Sequence, residues 1–111
     1  EAKPREIRIY ETENGKAPFS DWMESLEENQ KKAYGIIMQR IDRVEEGNFG
    51  HCEPVGEGVS ELKIDYGPGY RVYFGELDDL VILLTGGVKA TQKTDIKTAK
   101  KLWRNFNAQE N

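Results

Sequence analysis

The chain predicts an α+β domain: a two-layer fold in the order β-α-α-β-β-β-α, a twisted antiparallel sheet with helices packed on one face. Three observations carry that expectation. Between Val59 and Gly87, three β-rich segments follow one another, separated only by short turns. Before and after them lie stretches whose apolar residues recur at helical spacing. At 111 residues the chain is long enough for one core and too short for two independent ones, so residues 1–111 are read as one domain.

Each element has its own local reason. Glu6–Thr12, EIRIYET, is short and β-rich, with Ile7 and Ile9 on one side, and should join the edge of the sheet. NGKAP then reads as a loop. Ser20 is a candidate N-cap for a short helix carrying Met23 and Leu26. Asn29 is a candidate cap for a longer one, whose Ala33, Ile37, Ile41 and Val44 fall at i, i+4, i+8 and i+11. Gly47 ends that helix. The segment Gly47–Gly58 holds four glycines and a proline and reads as a loop.

Val59–Tyr66 alternates, with Leu62 and Ile64 facing one way and Glu61 and Lys63 the other. Gly67-Pro68-Gly69 turns the chain into Tyr70–Glu76. Leu80–Gly87 is apolar enough to be a central strand covered on both faces. Thr91 can cap a last helix with Ile96, Ala99, Trp103 and Phe106 on its inner side. Glu61, Lys63, Arg71 and Tyr73 are then expected together on the open face of neighbouring strands.

Charge is unevenly distributed. The net charge is −4. Glu1–Gly58 holds eight basic and thirteen acidic residues, a balance of −5. Gly86–Phe106 holds Lys89, Lys93, Lys97, Lys100, Lys101 and Arg104 against Asp95 alone, a balance of +5. Such asymmetry can make a local positive field on an acidic protein, although composition alone favours the plainer reading, a solvated basic helix face. A single cysteine, Cys52, excludes an internal disulfide framework and fits a reducing cytoplasm. No apolar run is long enough to span a bilayer, and no membrane partner is expected.

Familiar sites are absent. His51 beside Cys52 does not supply the three or four spaced ligands of a zinc site, so no metal or other cofactor is expected. GGVKATQK lacks P-loop spacing, although Lys89 near a helix start suits an anion. The remaining set is cationic and phenolic: Lys63, Arg71, Lys89 and Tyr73, with Glu61. It suits RNA cleavage, in which a 2′-OH attacks the adjacent phosphate and fixed cations stabilise the phosphorane. Glu61, a lysine of depressed pKa, or Tyr73 are the alternatives for proton transfer. Tyrosines can also stack on unpaired bases. Tyr70, with Lys93 and Lys97 of the last helix, completes the expected RNA-contacting set. The plain alternative is an exposed Glu61–Lys63 pair beside a surface arginine.

The runs GNFGHCEPVGEGVSELKIDYGPGYRVYF and LLTGGVKATQKTDIKTAKKLW, with the upstream APFSDWMESL, resemble the RelE/ParE toxin superfamily. The branch they are most similar to is that of the addiction module killer proteins, also described as phage-Gp49-like or HigB-like. The resemblance spans nearly the whole chain and implies a RelE-like fold. It implies the toxin of a type II toxin–antitoxin module, a metal-independent, ribosome-dependent mRNA endoribonuclease. By position it implies roles for Arg71, Lys63 and Lys89; Tyr73 and Glu61 follow from strand alternation instead. It implies as partners a helix-turn-helix antitoxin, the ribosome and mRNA. Two departures stand out: no C-terminal tyrosine matches the one some RelE members use, and the N-terminal half is acidic. A ParE-like gyrase inhibitor without nuclease chemistry, or a member that only binds its antitoxin, are the other readings.

Overall fold

A proline at the first turn of a helix loses nothing, because its missing N–H would have no intrahelical partner there. In the computed structural model, which describes residues 3–110, that is how the first helix starts. After β1 (Glu6–Ile9), α1 runs Pro18–Asn29, beginning two residues before the expected cap Ser20, with Ala17 at the cap position. It buries Phe19, Met23 and Leu26. α2 follows at once, Lys31–Glu45, and Gln30 serves as the junction. The Gln30 N–H donates to the Leu26 carbonyl at 2.6 Å, closing α1. Asn29 is not the cap of α2, because its amide donates back to the Ser25 carbonyl at 3.0 Å. The stripe Ala33, Ile37, Ile41 and Val44 is buried as its spacing predicts.

The segment Gly47–Gly58 is not wholly a loop. Cys52–Gly56 is an edge strand, β2, paired antiparallel with β3 (Val59–Ile64), its register shifting between Pro54 and Gly56. It escaped notice because an edge strand needs hydrogen bonds on one side only and tolerates proline, and CEPVG does not alternate. β4 (Tyr70–Leu77) and β5 (Leu80–Val88) complete the meander. The sheet order is β1-β5-β4-β3-β2, with β1 parallel to β5 at the edge and every other pair antiparallel.

α1 and α2 form the helical layer on one face, burying Leu62, Ile64, Tyr70, Val72, Phe74, Val81 and Leu83. A single 3-10 turn, Lys89–Thr91, leads from β5 into α3 (Gln92–Glu110). α3 lies across the other face, where Ala99, Leu102, Trp103 and Phe106 pack with Val59, Tyr73, Ile82 and Leu84. Only the part of that face beyond its N-terminal end stays open. Gly75 makes the approach possible, since a Cβ there would fall within the Trp103 ring.

A bulge in β5 changes which residues meet α3. Tyr73 pairs with Thr85 but Phe74 pairs with Leu83, so Leu84 is the extra residue. Thr85 and Gly87 are thereby brought to the same face as Ile82 and Leu84.

Arg40 of α2 ties the Phe49–His51 segment to β3. Its guanidinium donates to the carbonyls of Lys63 (2.7 Å), Phe49 (3.0 Å) and His51 (3.1 Å). Burial holds its pKa below the ordinary arginine value. Arg40→Ala removes the guanidinium donor from the Lys63 and Phe49 carbonyls, while the His51 carbonyl keeps the Lys63 N–H at 3.0 Å; it should destabilise the fold by about 2 kcal/mol. Urea unfolding checks this, and an unchanged midpoint would mean that water replaces the guanidinium.

Candidate functional site

The strand register lays the expected residues out in two rows. Lys63 stands opposite Arg71, which stands opposite Gly87; Glu61 stands opposite Tyr73, which stands opposite Thr85. Cross-strand neighbours on one face lie within side-chain reach. The two rows differ in cover. The Glu61–Tyr73–Thr85 row runs under α3, with Glu61 1% and Tyr73 0% exposed. The Lys63–Arg71 row lies at the open end, beside the Gly67–Gly69 turn.

Arg71 is the centre of the open end. Its residue is 6% exposed, yet its charge is only partly met. One Nη1 donates to the Tyr70 carbonyl at 3.1 Å, while Nε has no hydrogen-bond partner and lies 4.0 Å from a Glu61 carboxylate oxygen. Two unit charges 4 Å apart attract by about 4 kcal/mol at an effective dielectric near 20. Desolvating each ion costs several kcal/mol, so such a pair does little for stability by itself. The guanidinium nevertheless lines a cleft of about 320 Å³ with Asp65, Tyr66, Gly67, Pro68, Gly69 and Lys89.

The turn that roofs this cleft is firmly closed. Gly67 takes φ +56, a conformation costly for other residues, and the Gly69 N–H donates to the Tyr66 carbonyl at 3.0 Å. The Lys89 N–H then donates to the Gly69 carbonyl at 2.7 Å, bringing the start of the 3-10 turn alongside. Lys89 is exposed and makes no ion pair among the described residues. Lys63 is paired with Glu53 of β2, and hydrogen bonding to Lys63 holds the Glu53 carboxyl below its ordinary value. A carboxyl lowered in this way keeps the pair through its ordinary titration range and releases Lys63 only as pH falls through the lowered value, below that range.

The structure therefore brings Lys63, Arg71 and Lys89 to one end of the sheet, as expected, and corrects the rest of the set. Tyr73 does not face solvent: α3 covers it, its hydroxyl has no hydrogen-bond partner, and burial, reinforced by the Glu61 carboxylate, pushes its pKa far up. Glu61 is not an exposed partner of Lys63; it accepts a hydrogen bond from Gln92 of α3 at 2.8 Å. Tyr70 is 5% exposed on the α1 face, its ring 6.4 Å from that of Trp22, so no base stacks on it. Lys93 and Lys97 are exposed on α3, whereas Lys100 and Arg104 are held by Glu57.

Gly86 and Gly87 are packing glycines. A Cβ at Gly86 would meet Trp22, and one at Gly87 would meet Asp95. Thr91 stands directly before α3, and its hydroxyl donates to the Asp95 carboxylate at 2.5 Å. Among the described residues no group of three His, Cys, Asp or Glu is gathered. A larger cleft of about 410 Å³, between Thr12–Asn14 and the end of α3, has Glu13 as its only charged lining residue and nothing to attract a phosphate. Tyr66, directly before Gly-Pro-Gly, is a lining residue of the cleft that strand alternation did not point to, and it also packs against the α1–α2 core.

Residues 21–106 match the family described as "Phage derived protein Gp49-like". An uncharacterized protein of Haemophilus influenzae (strain Rd) is 48% identical over 85 residues, covering 76% of this chain and 84% of that protein. No solved structure matches the chain. With most of its length matched, including all of the strands and helices that build the cleft, the chain belongs to the Gp49-like family of phage-derived proteins, a RelE/HigB-like toxin family.

Proposed function

We propose that this protein is the toxin of a type II toxin–antitoxin module and acts in the cytoplasm as a metal-independent, ribosome-dependent mRNA endoribonuclease. A cognate helix-turn-helix antitoxin would hold it in check. The single observation that carries the reading is Arg71: a buried guanidinium with an unpartnered Nε, lining an open cleft beside the cation Lys89. A phosphodiester supplies the missing acceptors. As the 2′-OH gives up its proton to water and its oxygen forms a bond to phosphorus, the bond to the 5′-oxygen breaks, and the added negative charge falls on oxygens that Arg71 and Lys89 can hold. In this reading Lys89, a lining residue of the cleft, is the group that gives a proton to the leaving 5′-oxygen. Lys93 and Lys97 extend the positive surface along α3 and attract the RNA backbone on a protein that is acidic overall.

The Lys63–Glu53 pair restrains one cation of the set. Glu53→Gln should free Lys63 and raise affinity for single-stranded RNA by about 2- to 5-fold, the scale of an exposed ion pair. Filter binding at fixed salt measures this; weaker binding would mean that Glu53 positions Lys63 for the substrate.

One observation favours a second reading. Glu61 and Tyr73, two of the groups expected to move protons, are closed off under α3. A protein that binds its target without cutting, such as a ParE-like gyrase inhibitor or a member that only binds its antitoxin, needs neither. The deciding experiment is in vitro translation of a defined mRNA with the purified protein, read by primer extension, with and without ribosomes. Cuts confined to translated message support the interferase. Intact message with inhibited supercoiling supports the second reading.

A further inference from the structure

We infer that Gln92, the first residue of α3, is a positioning residue for Arg71: its amide holds the Glu61 carboxylate, and so keeps the Arg71 guanidinium from closing onto Glu61 and leaves it at the cleft. The inference deepens the RNA-cleaving reading above and rests on it for its effect on activity. It starts from one oxygen. Gln92 Nε2 donates to Glu61 Oε2 at 2.8 Å, and Arg71 Nε stands 4.0 Å from the same Oε2 with no hydrogen-bond partner.

That arrangement inverts the usual order of strength. Glu61 is buried, so bulk water does not compete for its oxygens. A charged guanidinium binds a carboxylate more strongly than a neutral amide does, at about 2.8 Å. Here the amide has the bond and the guanidinium stands off. Backbone contacts on both sides hold it so. The Gln92 N–H donates to the Lys89 carbonyl, closing the 3-10 turn, and the Lys89 N–H donates to the Gly69 carbonyl at 2.7 Å. Gln92 is therefore tied to the Gly67–Gly69 turn and reaches Glu61 from a fixed start. Arg71 leans toward the same turn. Its Nη1 donates to the Tyr70 carbonyl at 3.1 Å, and a Cβ at Gly69 would sit 3.5 Å from that Nη1.

Removing the amide tips this balance. Gln92→Met keeps a side chain of similar length and loses the donor. Two groups can then take Glu61 Oε2: Arg71 Nε, and the Tyr73 hydroxyl, which also lacks a partner and belongs to the residue opposite Glu61 in the strand register. The charged donor outweighs the neutral one, so Arg71 closes on Glu61. Its charge is then met inside the protein and withdrawn from the cleft.

The test follows the Arg71 Nε–H of the full chain by NMR, assigned with Arg71→Lys, in the parent, in Gln92→Met, and in Gln92→Met combined with Glu61→Gln. In Gln92→Met the signal should move downfield and exchange more slowly with water. In the double variant it should return toward the parental position, because a neutral amide does not draw the guanidinium. Cleavage of translated message should fall about 10-fold in Gln92→Met, a partial form of the loss when a charge donor is removed outright, and should recover in the double variant. A purely structural Gln92 would leave Nε–H where it is. An unmoved Nε–H in Gln92→Met therefore overturns the proposal, and so does a moved one with undiminished cleavage. The unaltered protein gives a check that needs no variant to fold: the Gln92 side-chain N–H signals should exchange slowly, and exchange as fast as a free amide overturns the proposal as well. A parent that cuts nothing sinks the nuclease alone, since the NMR signals still decide what Gln92 does to Arg71.

Discussion

Arg71→Ala should lose at least about 100-fold in cleavage of translated message, the scale seen when one transition-state charge donor is removed. It should also lose stability, by about 3 kcal/mol, because Glu61 is then left buried with its charge met only by Gln92. The two losses have different causes and can be separated. Glu61→Gln in the Arg71→Ala background removes the stranded charge, keeps the hydrogen-bonding shape, and should recover much of the stability. Cleavage should stay lost. Chemical denaturation of the two single variants and the double variant, beside primer extension on translated mRNA, gives both readouts. A double variant that cuts at the parental rate would show that Arg71 serves only to neutralise Glu61. Arg71→Lys sharpens the point: it preserves the charge but not the fork that meets two phosphate oxygens, so it should stay well below the parent in rate.

Gly75→Ala should be among the most damaging single-methyl changes in the chain. The added carbon would fall within the Trp103 ring, and that ring cannot retreat, being stacked on Phe106 at 5.3 Å and 9°. Overpacking of this kind costs about 3 kcal/mol, which lowers Tm by roughly 10–20 °C in a domain of this size. The coupling is testable. Trp103→Leu by itself opens a void and destabilises, but combined with Gly75→Ala it should cost distinctly less than the sum of the two. Strict additivity would mean that α3 shifts as a body to accept the methyl. The result bears on function, because α3 is what separates Glu61 and Tyr73 from solvent; a variant that loosens α3 would expose both.

The sequence by itself determined most of the framework. Helical spacing placed Ala33, Ile37, Ile41 and Val44 in the core, and so too Ala99, Trp103 and Phe106, because a 3.6-residue period leaves only one stripe to bury. Alternation in Val59–Ile64 and Tyr70–Phe74 set the meander, and with it the pairing of Lys63 with Arg71, since a slip of one residue would turn a charge into the core. The Gly-Pro-Gly turn and the nearby Lys89 were legible for the same local reasons. The edge strand Cys52–Gly56 was not, because its pairing depends on β3 rather than on any pattern of its own.

Which side of the sheet α3 would occupy was decided only by tertiary structure. Alternation says that Glu61 and Tyr73 share a face; it does not say what covers that face. The cover was set by a distant glycine, Gly75, that admits Trp103, and by a bulge at Leu84 that turns Thr85 and Gly87 toward α3. Both are contacts between segments far apart in the chain, and their energy exists only once those segments meet. For that reason the cations could be read from the sequence, whereas the burial of Glu61 and Tyr73 emerged only in the folded protein.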